Sequence, residues 1–180
     1  MPKKEILHHL AVALCYTAFV TLLGRHFHLK FSFFWLGGLS GTLLLYFDPL
    51  ISAYLSSSEL PLFLEIKQMF AQKKFKEAVL TAFVHHQEQE QLILHSALFQ
   101  VALTILSFYI VTSGGSLLGS GLVMGMALHL IKGEIENWRN PEKLNKMLFW
   151  NIQREVSPRE QKIYLGVIFA FFALETILLI

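Results

Sequence analysis

At 180 residues, 54% of them hydrophobic, and with a mean hydropathy of +0.50, the chain is too apolar for a soluble domain of its length. Its net charge of +2 comes without a basic tail that would call for a nucleic-acid partner, and a single cysteine excludes an internal disulfide. What remains is an all-α, polytopic membrane helical bundle, one integral membrane domain over residues 1–180 with about five transmembrane helices and amphipathic helices on the cytoplasmic side.

The start, Met1-Pro2-Lys3-Lys4-Glu5, has the charge of a signal-peptide n-region. The apolar run that follows continues to Leu23, too long for an h-region, and meets Arg25 and His26 rather than a small-x-small cleavage site. It therefore predicts an uncleaved first span over Ile6–Gly24, with Cys15 inside it as a small buried hydrophobe. A second span is expected over Phe31–Asp48, with a continuation to Leu55 open. Residues 60–86 then repeat apolar positions at helical spacing (Leu62, Ile66, Met69, Phe70, Val79, Leu80, Phe83) with lysines between them, an interfacial pattern. A third span is expected over Gln91–Thr112 and a fourth, shorter and glycine-rich, over Ser116–Ile131. A second interfacial segment covers residues 141–156, opened by Asn140-Pro141. Ser157-Pro158-Arg159-Glu160 is a capping box leading into a fifth span over Ile163–Ile180. Gly37-x-x-x-Gly41, Gly115-x-x-x-Gly119 and Gly121-x-x-x-Gly125 predict close helix contacts. Contacts inside one chain are favoured, although the same spacing fits a homo-oligomer.

Lysine and arginine set the orientation. With the N-terminus inside, thirteen of the 15 basic residues lie on the inner side, and only Arg25 and Lys30 lie outside. The expected location is the cell (inner) membrane, N-terminus cytoplasmic and C-terminus outside.

In this topology several ionisable residues share one depth. Asp48 closes the second span, Glu90 and His95 open the third, and His129 lies near the inner end of the fourth. Charged groups in a bilayer are costly, so their convergence marks a site. On a regular helix Glu88, Gln91 and His95 share a face, as do Gly125, His129, Gly133 and Glu136. His8 and His9 stand near the inner end of the first span and are read as incidental interfacial residues. His26 and His28 fall outside, and Glu175 is expected to snorkel to the outer surface. Two imidazoles with carboxylates suit a divalent metal ion, zinc or manganese foremost. The expected ligands are Asp48, Glu90, His95 and His129, with Glu88 or Glu134 handling protons in a catalytic role. No G-x-S-x-G and no phosphate-binding loop is present. Bonds within reach of such a site belong to membrane lipids, at their headgroups, or to a polar phosphoester.

Three segments together carry a family resemblance. Gly37-Gly38-Leu39-Ser40-Gly41 leads to Phe47-Asp48-Pro49, then comes Glu90-Gln91-Leu92-Ile93-Leu94-His95-Ser96, then Gly125-Met126-Ala127-Leu128-His129. Over residues 37 to 136 the chain resembles the membrane-bound metal-dependent hydrolases of the LexA-binding, inner-membrane-associated type. That family has a Pro-Asp-x-Asp-His-like segment, a His-Arg-Gly-x-Thr-His-Ser segment, and a later Gly-x-x-x-His followed by an acid. Here the histidine after Asp48 is absent, Glu90 and Gln91 stand in place of the family's histidine and arginine, and Glu134 falls one residue late. The resemblance implies a diverged metal-dependent hydrolase. The alternatives are a non-enzymatic membrane scaffold or partner-binding protein and, ranked last because the midplane offers little beyond Gln100, Thr104 and Ser107, a small metal or proton transporter.

Overall fold

The computed structural model of the protein describes residues 2–55, 60–84, 91–152 and 154–180. Every regular element among them is helical: α1 (Pro2–Leu23), α2 (Ser32–Leu44), α3 (Asp48–Leu55), α4 (Pro61–Ala71), α5 (Phe75–Val84), α6 (Ala97–Ser113), α7 (Leu117–Asn137), α8 (Pro141–Leu148) and α9 (Pro158–Leu179). Short 3-10 turns at Leu29–Phe31 and Leu45–Phe47 join α2 to its neighbours. Among the described residues, three stretches are long and apolar enough to cross a membrane: Ile6–Leu23, Leu29–Leu55 and Pro158–Leu179. α6 is apolar but shorter, at 17 residues.

The helix boundaries follow local chemistry. Ser96 caps α6 by accepting from Phe99 N at 3.3 Å, so the helix begins six residues later than the apolar run suggests. Gly114, at φ 64°, ends α6 in the left-handed conformation that glycine adopts without strain. Ser116 caps α7, which continues past Ile131 through Lys132 and Glu134 to Asn137. Asn140 caps α8, and the Ser157–Glu160 capping box is formed at the start of α9. The segment expected as one interfacial helix over 60–86 is two, α4 and α5, with Lys73 at φ 60° in the bend between them.

The α2–α7 pair is the spine of the bundle. At Gly37 an added Cβ would meet the Leu118 carbonyl, at Gly41 that of Leu122, at Gly121 that of Phe34 and at Gly125 that of Gly38. Each helix thus leaves out side chains where the other's backbone passes. Thr42 Oγ1, 2.9 Å from its own Gly38 carbonyl, also reaches across to Gly125 O at 3.2 Å. The Gly115-x-x-x-Gly119 spacing does not take part: Gly115 faces only its neighbour Ser113, and Gly119 faces Ser116 and Ile110.

α1 packs on α2, with Thr17 against Gly38 and Trp35 Nε1 donating to Thr21 Oγ1 at 2.9 Å. α6 and α9 pack on the other side of α7, and Tyr16 with Thr176 closes α9 onto α1 at 3.1 Å. The Arg25 turn, the α6–α7 turn and the chain's end meet at one end of the bundle. There Val20, Phe31 and Phe34 pack with Leu117 and Leu179, and the Ile180 carbonyl borders Gly24. At the opposite end α3, α4 and α5 enclose Ala53, Phe63, Ile66, Ala82 and Leu92, while α8 packs under α6 and α9 through Leu144, Leu148 and Leu165. Large apolar side chains such as Leu7, Phe19, Leu22, Leu36, Ile105, Ile163 and Ile177 point outward around the bundle, the pattern of a surface in contact with lipid. Cys15 is among the exposed residues rather than buried, so it lies on that outer surface.

Candidate polar centre at the N-terminal end

Asp48 begins α3 where the 3-10 turn at Leu45–Phe47 reverses into helix, and it is fully buried. An unpaired carboxylate there would be prohibitively costly, and two donors meet it. Ser52 Oγ, one turn on, donates to Oδ1 at 2.7 Å, and His95 Nδ1 approaches Oδ2 at 2.6 Å. A carboxylate only accepts, so Nδ1 carries the proton. The Ser52 hydroxyl also accepts from Ile93 N at 2.8 Å, which ties the irregular segment 91–96 to α3. Gln91 there has φ 70°, so these residues are not helical and the expected helical face of Glu88, Gln91 and His95 does not form. His95 reaches Asp48 from the turn at residues 93–96 that precedes α6, not because of an i, i+7 register.

His129 is carried by α7 one turn beyond Gly125, where the glycine contact holds α2 and α7 closest. Its ring meets that of His95 edge to face at 5.6 Å between centroids. Two helices, α3 and α7, and the irregular segment before α6 therefore bring Asp48, His95 and His129 into one buried cluster. Glu88 and Glu90 lie outside the described residues.

His9, expected to be incidental, belongs to the cluster. Its ring stacks on His129 at 4.2 Å, and its Nδ1 lies 2.7 Å from the Tyr46 hydroxyl. Lys132 Nζ is 3.2 Å from His9 Nε2 and 2.6 Å from Glu136 Oε1. An ammonium only donates, so His9 Nε2 accepts and Nδ1 donates to Tyr46. The readable signal for His9 was the one that singled out His95: an imidazole inside an apolar run at the same depth. His8, its neighbour, is exposed and only 3.9 Å from Glu136.

Glu134 belongs to a second network. Expected to handle protons beside the histidines, it is fully buried, with Oε1 accepting from Gln100 Nε2 at 2.5 Å. Gln100 Oε1 in turn accepts from the Tyr164 hydroxyl of α9. Glu134 Oε2 has no hydrogen-bond partner among the described residues. Glu175, expected to snorkel outward, is instead 1% exposed and accepts from Ser107 Oγ at 2.6 Å. His26, on the excluded side, stacks on Phe31 and bonds the Leu179 carbonyl at 3.0 Å.

Both Asp48 oxygens and both His9 nitrogens are thus engaged, and among the described residues no group of three His, Cys, Asp or Glu is set to hold a metal ion. No family model matches the chain, and no match is found among curated proteins or solved structures.

Proposed function

We propose that the protein is a five-span inner-membrane hydrolase, N-terminus cytoplasmic, with a metal-dependent centre at the cytoplasmic end of the bundle. The convergence of Asp48, His95 and His129 from separate elements carries this reading. In it His95 and His129 hold a divalent ion such as zinc or manganese, and Glu90, from the segment just before Gln91, completes the set. Asp48 acts through His95. A carboxylate on Nδ1 fixes the ring's orientation and tautomer and makes Nε2 a better ligand, the usual second partner of a metal-bound imidazole. A divalent ion bound there would lower the pKa of its water toward neutral pH. The buried Asp48–Ser52–Ile93 network keeps the histidine in register. Glu88 is the nearest candidate in sequence for moving the proton, because Glu134 is bonded to Gln100 in a separate network.

The expected substrate is an anionic phosphoester, in a lipid headgroup or at the membrane edge. A surface recess of about 390 Å³ supports this: Lys146 and Arg154 line it together with Gln91, Asn145, Trp150 and the acidic Glu155, and Arg154 also pairs with Glu160. It adjoins the same segment that ends in His95, with Trp150 Nε1 bonded to the Leu92 carbonyl at 3.1 Å.

Metal analysis of protein purified under metal-replete conditions tests the reading. About one ion per chain is expected, lost in His95→Ala and in His129→Ala while both remain monodisperse and helical. Asp48→Asn should weaken binding roughly 10–100-fold rather than abolish it, as expected for a group acting through a ligand. Wild-type protein free of stoichiometric metal would overturn it and leave the cluster as a structural network, for which the engaged His9, Tyr46 and Lys132 provide the argument.

A further inference from the structure

α6, α7 and α9 enclose a cavity remote from the histidine cluster. Its accessible volume is about 10 Å³, room for about one water. Gln100, Thr104 and Ser107 form its α6 wall, at i, i+4 and i+7 on one helix face. Glu175 of α9 closes it. α7 contributes Ala127, Leu130 and Ile131, hence no charge, and the nearest titratable group on α1 is Tyr16, whose hydroxyl is occupied by Thr176. No cation among the described residues pairs with Glu175, which is 1% exposed.

The hydroxyl of Ser107 shows what this arrangement can do. It has one proton and two acceptors in range, Glu175 Oε1 at 2.6 Å and its own helix's Thr104 carbonyl at 3.0 Å. It donates to one at a time. When Glu175 is ionised, Ser107 donates to it. When Glu175 holds a proton, the carboxyl O–H donates to Ser107 Oγ, and the serine proton turns to the Thr104 carbonyl. Both protonation states are hydrogen-bonded without any movement of the backbone. A buried carboxylate with no counter-cation, a hydroxyl able to reverse its bond, and a water-sized void beside them form a set built for a proton.

We propose that the α6–α7–α9 seam is an intramembrane proton-binding site, with Glu175 as the acceptor, Ser107 as the reorienting hydroxyl and one water in the cavity as the carrier. The step is a simple transfer. A hydronium in the cavity gives its proton to a Glu175 oxygen and is left as water; the reverse transfer returns the proton. The site does not rest on the metal reading, since Glu175 and Ser107 bond to each other and to the Thr104 carbonyl.

Infrared spectroscopy of the purified, lipid-reconstituted protein tests this. The wild type should show a protonated-carboxyl C=O band that is missing in Glu175→Gln, moves to lower frequency in D2O and bleaches as the pH is raised. In Ser107→Ala the band should persist at higher frequency, because its hydrogen bond is lost. On the unmodified wild type, an apolar carbodiimide should form an adduct that mass spectrometry locates on Glu175, at a rate that falls with rising pH. The proposal is overturned if no carboxyl band separates wild type from Glu175→Gln, if the band neither exchanges nor bleaches, or if Glu175 stays unmodified by the carbodiimide.

Discussion

Asp48 illustrates how a single buried carboxylate is held. Its two oxygens take protons from Ser52 and His95, and nothing about it faces water. Asp48→Ala strands both donors in the interior, and breaking a buried hydrogen-bonded pair from one side costs roughly 3–5 kcal/mol. Ser52→Ala deletes two hydrogen bonds, one to the Asp48 carboxylate and one from Ile93 N, and should cost roughly 2–3 kcal/mol. Thermal unfolding in detergent should therefore rank wild type above Ser52→Ala above Asp48→Ala, and an Asp48→Ala protein that melts with the wild type would contradict the buried pair. Asp48, His95 and His129 were legible because each is an ionisable residue inside or at the edge of an apolar run, and depth along a span can be counted. Depth does not say which way a side chain points around the helix. His9 lay at the same depth and was passed over. Glu175 lay near a helix end, where snorkelling was the cheap expectation, yet it turns inward onto Ser107.

At the scale of helices, the glycines of α2 and α7 set the spacing on which the cluster depends. A Cβ at Gly41 or Gly125 runs into partner backbone, which has no rotamer to yield, whereas Gly133 and Gly166 face open space. Gly125→Ala should force the two helices apart, shift His129 away from His95 and sharply reduce the yield of monodisperse protein. Gly166→Ala should be neutral or stabilise by up to about 1 kcal/mol through helix propensity. Size-exclusion profiles and melting temperatures of the two variants check the contrast, and equal behaviour would mean that α2 and α7 are not in backbone contact. The Gly37/Gly41 and Gly121/Gly125 contacts were readable from spacing alone. Gly115/Gly119 had the same spacing and no partner, because Gly115 lies in the turn before α7 and not on a helix. Helix starts were readable where a cap chemistry was recognised, as at Asn140 and Ser157. They were misplaced at Ser96, whose cap interrupts an apolar run that hydropathy reads as continuous.

For the whole molecule, the two ends of the bundle are chemically unlike, and that difference fixes how it would sit in a bilayer. The end with the N-terminus also carries α4, α5 and α8, the polar cluster and thirteen of the 15 basic residues, while the far end has Arg25 and Lys30 among apolar turns. Basic residues are retained on the cytoplasmic side, so the cluster should face the cytosol. Among the described residues, only three stretches meet the length and hydropathy of a span on their own. α6 is short and α7 carries Lys132 and Glu134, yet α7 packs against α2, α6 and α9, and α6 packs against α7 and α9, and a helix shielded by neighbours does not need an apolar surface all round. If all five cross, Ser113 in the α6–α7 turn and Asn151 after α8, both exposed, lie on opposite sides of the membrane. In a Cys15→Ala background, a membrane-impermeant maleimide applied to intact cells should label Ser113→Cys and leave Asn151→Cys untouched until the cells are opened. If both label from outside, α7 does not cross and the cluster is not held at the cytoplasmic face. If neither does, the α6–α7 hairpin dips into the bilayer and returns, and the count of crossings falls to the three that length and composition support.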